Sequence, residues 1–126
     1  MRIIHVVGGA GTGPTEKAAY DAALADANLH NYNLVPVSSV IPTDAEVVRV
    51  EQAPDLGPAG NRLNVVQAEA AAVGPETVAA GVGWTTGPGP GLFYEADAES
   101  ESDVLRRLER GLDAGRELRD WAFDHE

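Results

Sequence analysis

Fourteen glycines and eight prolines are distributed through 126 residues, and their positions decide which segments can hold regular structure. They leave short apolar runs at 2–7 (RIIHVV), 33–41, 46–50 (EVVRV), 63–72 (LNVVQAEAAA), 76–84 (ETVAAGVGW) and 91–97 (GLFYEAD). Runs of that length bounded by Gly and Pro clusters read as strands. Two stretches have helical character. Residues 15–28, TEKAAYDAALADAN, are alanine-rich, start at a Thr and stop near Asn28. Residues 101–119 place Val104, Leu105, Leu108, Leu112 and Leu118 on one face, with Ser100 or Ser102 as N-cap. Strands in the middle and a helix toward each end predict an α+β class, a sheet core with helical cover. The length predicts one domain over 1–126 with a single core. No internal repeat is present, and TTGPGPG at 85–91 predicts a shaped loop.

Composition then removes several kinds of chemistry. With no cysteine, disulfides, thiolate metal sites and a cysteine nucleophile are excluded. The net charge of −11, with Lys17 the only lysine, argues against a nucleic-acid partner, because no basic stripe exists to displace counterions from phosphates. The acidic excess reads as a solvated surface, with an acidic pocket for a cation as the sharper alternative. Together with the small apolar residues it suggests a halophile. MRIIHVVGG is a strand pattern running into glycines rather than a signal peptide, and the apolar runs are too short to span a bilayer. A cytoplasmic protein without a membrane partner is expected.

The familiar site motifs are missing. GGAGTG at 8–13 lacks G-x-G-x-x-G spacing, is followed by Pro14, and has no G-K-[ST] after it. It predicts a tight turn at a helix N-terminus, with backbone N–H groups facing a carboxylate. His5, His30 and His125 have no zinc spacing, so no metal site is expected. No G-x-S-x-G elbow occurs. Lys17 as a Schiff-base lysine competes with a plain exposed lysine, and pyridoxal phosphate needs a larger scaffold.

What remains is NLVPVSSVIP at 33–42, an apolar run holding two adjacent hydroxyls, Ser38 and Ser39. Buried hydroxyls cost free energy unless hydrogen-bonded. Either the pair is satisfied at a bend before Pro42, or Ser39 is there for chemistry. Glu95, in GLFYEADA, is a second candidate. Alternation turns either Phe93, Glu95 and Asp97 or Tyr94 and Ala96 inward, and a buried carboxyl is a natural proton donor. The alternative is that Glu95 marks the solvent end of a strand. Asp21, in AAYDAAL, reads equally as an exposed helix residue.

Four blocks in order, GGAGTGPT, AAYDAALADA, NYNLVPVSSVIPTDAEVV and GPGPGLFYEAD, resemble the pyruvoyl-dependent arginine decarboxylases. The similarity covers residues 3 to about 121, and N-x-N-L-x-x-V-S-S-x-I-P is its most specific part. The resemblance implies a compact sandwich of β-sheet layers covered by helices, self-cleavage, and homotrimers with active sites between subunits. By that resemblance the Ser39 hydroxyl attacks the Ser38 carbonyl, and elimination frees residues 1–38 as a β chain. The α chain, 39–126, is left with a pyruvoyl group at its head. That ketone forms a Schiff base with L-arginine, supplies the electron sink that ordinary side chains lack, and leads to agmatine and carbon dioxide. Asn33, the second Asn of N-x-N, would stabilise the oxyanion of the first step. Glu95 would protonate the substrate carbon and is a candidate to assist processing. Asp21 would face the guanidinium, with Ser38 also at the substrate. No metal is implied.

Two features depart from the family pattern. Lys17 stands where relatives carry an apolar residue near the pocket, and a cation there repels a guanidinium unless it turns outward. Relatives also continue past the equivalent of WAFDHE into another strand and helix, which leaves an unfinished sheet edge as an expectation. Histidine or ornithine as substrate, or an inactive unprocessed binding or assembly protein of the same fold, are the competing readings.

Overall fold

A computed structural model describes residues 2–126. Its strands are β1 (Arg2–Val6), β2 (Asn33–Pro36), β3 (Val40–Ile41), β4 (Ala45–Arg49), β5 (Arg62–Val65), β6 (Ala79–Thr85) and β7 (Gly91–Ala98). The helices are α1 (Glu16–Asp26) and α2 (Glu101–Glu117), so the class is α+β, as the Gly/Pro punctuation predicts. The chain forms two compact units: Met1–Val35 with Ala45–Val65, and Pro36–Asp44 with Val66–Glu126.

In the first unit β1 and β4 pair in parallel, Arg2 opposite Ala45 through Val6 opposite Arg49. β2 pairs with β5. Thr15 caps α1 by accepting from the Ala18 N–H at 3.0 Å. Past the C-cap Ala27, Asn28 takes a left-handed conformation (φ 62°). Its N–H donates to Ala25 C=O and that of Leu29 to Leu24 C=O, the paired bonds of a Schellman end. The glycine block is not the tight turn expected. Gly9, Gly11 and Gly13 lie along α1 against Ala23, Ala22 and Ala18, so close that any Cβ would overlap the helix backbone. A carboxylate does face this segment: Asp26 Oδ2 accepts from Ala10 N–H at 3.0 Å. It belongs to the last turn of α1, not the first.

In the second unit β3, β7 and β6 form an antiparallel sheet in that order. α2 covers one face. Ser100 caps it, and Val104, Leu108, Gly111 and Leu112 form its buried stripe. Gly81 and Gly83 of β6 let that stripe approach the strand backbone. Leu105 and Leu118, expected on this face, are 61% and 82% exposed. Leu105 lies one position off the stripe, and Leu118 is already the C-cap. The strand expected at 63–72 stops at Val65, because QAEAAAVGP is alanine-rich and ends in Gly-Pro, a poor strand sequence. The 85–91 segment is the expected shaped loop beyond Thr85. Thr85 Oγ1 donates to His125 C=O at 2.8 Å, and the Thr86 and His125 backbones pair.

Candidate active site

The apolar run at 33–41 is not one strand. β2 ends at Pro36 and β3 begins at Val40, so Val37, Ser38 and Ser39 occupy a break. Pro36 has no N–H to continue a ladder. Ser38 is exposed and Ser39 half-buried, with a bend at Ser39. The hydroxyls are therefore not buried in a strand core, and the cost argument does not bear on them. Instead Val37 and Val40, flanking the pair, are about half exposed, at 48% and 50%.

Ser39 is nonetheless held. Its carbonyl accepts from the Phe93 N–H at 2.7 Å, one rung beyond the β3–β7 pairs Val40–Leu92 and Ile41–Gly91. Gly83 and Gly81, which face α2, pair with Tyr94 and Ala96, and the Tyr94 ring lies on Gly111. Alternation therefore turns Phe93, Glu95 and Asp97 to the opposite face. Phe93 is buried there, edge-on to Trp84 with ring centroids 6.4 Å apart. Glu95, two residues on, is exposed. The burial expected of a proton donor is therefore not seen at Glu95. Ser39 is thus tied by one hydrogen bond to the strand that carries Glu95.

The other two candidates lie in the first unit. Asn33, at the start of β2, has its backbone N–H on Asn61 C=O at 2.9 Å. Its side-chain amide donates to Gly60 C=O at 2.9 Å, leaving a second amide N–H for another acceptor. Asp21 is an exposed residue of α1, and Lys17, also exposed, precedes it by four positions. Helical spacing puts them on the same face, so the helix does not turn Lys17 away from Asp21.

No group of three or more His, Asp or Glu side chains able to hold a metal occurs among the described residues. No helix among them is long and apolar enough to cross a membrane. Sequence reasoning missed the Phe93 N–H as a partner of Ser39. Every residue but proline has such a group, so only the strand register could show it.

Residues 3–126 match the family model for pyruvoyl-dependent arginine decarboxylase. A pyruvoyl-dependent arginine decarboxylase of Halobacterium salinarum is 57% identical over 123 residues, 96% of this chain and 77% of that protein. One from Pyrococcus horikoshii is 34% identical over 119 residues, 89% of this chain and 72% of that protein. One from Methanopyrus kandleri is 35% identical over 103 residues, 82% of this chain and 65% of that protein. The acidic composition read as salt adaptation is in keeping with the Halobacterium relative. The chain belongs to the pyruvoyl-dependent arginine decarboxylases.

Proposed function

We propose that this chain is a self-processing enzyme that opens between Ser38 and Ser39 and decarboxylates L-arginine to agmatine. The observation that carries the reading is the placement of the serine pair. It sits in the break between β2 and β3, while the Ser39 carbonyl is pinned to the strand that bears Glu95. A serine can attack the preceding carbonyl only where the local backbone yields, and a regular ladder on both sides would resist that. The residues fit the group the family name implies: Ser39 supplies its carbon skeleton and no metal or pyridoxal phosphate is required. When formed, the pyruvoyl group supplies an electron sink at the head of residues 39–126.

The chain's own residues then divide the work. The Asn33 amide donates to the oxyanion that forms on the Ser38 carbonyl during attack. Glu95 delivers a proton to the substrate carbon. Asp21 holds the guanidinium by a charge-assisted pair, which favours arginine over lysine. The exposure of Glu95, Val37 and Val40 supports sites completed by a neighbouring subunit, as in a homotrimer. Docking of a second copy would supply the apolar surroundings that decarboxylation favours. We assign the enzyme to the cytoplasm.

Intact-mass analysis tests this. The expected result is two pieces, 1–38 and 39–126, the second one ammonia lighter than a serine-started chain. Ser39→Ala is expected to remain whole. A cut Ser39→Ala chain, or a wild-type piece beginning with plain serine, refutes the mechanism. A wild-type chain that stays whole points instead to an unprocessed binding protein.

A further inference from the structure

We infer that the backbone N–H of Phe93 is the oxyanion donor for the elimination step that opens the chain, acting on the carbonyl oxygen of residue 39. The inference rests on the self-processing reading and assigns it a group. The Phe93 N–H lies 2.7 Å from the Ser39 oxygen, at the short end of the amide range. Phe93 itself is buried, and a bond formed away from water is electrostatically stronger. Beyond it the chain leaves the ladder, so this is the rung that fixes the residue-39 carbonyl next to the break.

Once the Ser38 acyl group has moved to the Ser39 oxygen, the two residues are joined by an ester. A base then takes the Cα proton of residue 39. Glu95, two residues along the same strand, is our candidate for it. The electron pair of the C–H bond passes toward the residue-39 carbonyl, and negative charge gathers on its oxygen. The pair returns to form the Cα–Cβ double bond as the bond from Cβ to the ester oxygen breaks, and Ser38 leaves as a carboxylate. The charge appears on the oxygen that Phe93 N–H already faces. A hydrogen bond to a neutral carbonyl strengthens when that oxygen becomes anionic, so the donor stabilises the transition state more than the ground state. Asn33 acts at a different oxygen, that of Ser38, and at the earlier step. In a processed chain the same residue-39 oxygen would stand next to the ketone, with the Phe93 N–H as its donor.

The test replaces phenylalanine 93 by 3-phenyllactic acid, which exchanges the N–H for an ester oxygen and keeps the ring. The control is the same exchange at Tyr94, whose N–H faces β6 by strand alternation and which therefore loses a comparable ladder bond. Samples quenched over time are treated with hydroxylamine, which cuts esters, and weighed. The exchange at 93 is expected to slow opening by roughly 10²–10³-fold. Whole chains should accumulate that hydroxylamine cuts after Ser38, releasing residues 39–126 headed by plain serine. Cutting at the exchanged bond itself gives different masses. The Tyr94 exchange should open near the wild-type rate. Equal rates for the two exchanges overturn the inference, as does a stalled chain whose 38–39 bond resists hydroxylamine. A wild-type chain that never opens overturns the self-processing reading and this inference with it. If the exchange at 93 prevents folding, isotope-edited infrared of mature wild type, labelled with carbonyl-13C serine, decides the question. The residue-39 amide band should lie below that of free pyruvamide, and a band at the free position overturns the inference.

Discussion

Gly111 and Tyr94 offer a quantitative test of how β7, and with it Glu95, is held against α2. A Cβ built on Gly111 falls against the Tyr94 ring, in overlap with three of its atoms. Gly111→Ala therefore sets two effects against each other. Alanine in a helix interior gains about 0.5–1 kcal/mol over glycine. Overpacking costs about 1–3 kcal/mol, because ring or helix must move. The ring is 43% exposed, which gives it a way out and keeps the cost toward the middle of that range. The net expectation is a loss of about 1 kcal/mol, or a fall in Tm of roughly 3–5 °C for a domain of this size. Thermal unfolding in the Ser39→Ala background, at one protein concentration, measures it on an intact chain. In a Tyr94→Ala background the clash is gone, so Gly111→Ala should stabilise by about 0.5–1 kcal/mol. The double-mutant cycle should then show a coupling of about 1.5–2 kcal/mol between the two positions. Gly111→Ala more stable than its parent, with no coupling to Tyr94, refutes the packing argument.

The remaining predictions concern the proposed chemistry. Asn33→Ala should slow opening by roughly 10²–10³-fold with the fold retained, as read by intact mass over time and by circular dichroism. Unlike the exchange at Phe93, it should leave no hydroxylamine-labile chain. Glu95→Gln, assayed on already processed protein, should lower kcat by about 10²–10⁴-fold while substrate binding survives. Asp21→Asn should raise KM for arginine and narrow the gap between arginine and an uncharged analogue, since an amide cannot form the charge-assisted fork. Lys17→Leu should lower KM for arginine by several-fold, the effect of removing about 1 kcal/mol of repulsion at an exposed site. An unchanged KM there means that the lysine lies away from the guanidinium.

Much of the fold was legible because it rests on local rules. Thr15, Asn28 and Ser100 mark helix ends through bonds reaching only a few residues, and the Gly/Pro clusters bound strands wherever they fall. The class, both helices and the beginning of each strand but β6 and the split β3 follow to within a residue. The family motif depends on residue identity alone, so the serine pair, Asn33, Asp21 and Glu95 could be named without coordinates. Errors arose where a distant partner decides the outcome. GGAGTG looks like a turn until α1, lined with Ala18, Ala22 and Ala23, is seen to need a glycine backbone beside it. Leu105 has the right chemistry for the α2 stripe but the wrong angle once Gly81 and Gly83 set where the helix sits.

The amino-acid sequence by itself determined which side chains are available: hydroxyls at 38 and 39, a carboxyl at 95, an amide at 33, and no thiol. Tertiary structure alone decided their setting. Alternation along β7 allowed either face to point inward, and the approach of α2 through the β6 glycines settled that Glu95 lies on the other side, exposed. The break at 37–39 and the rung from Phe93 N–H to Ser39 C=O follow from the register of β3 on β7. A register is a property of two strands far apart in the chain, and backbone donors are alike in every residue but proline. No local pattern could announce which of them would meet Ser39.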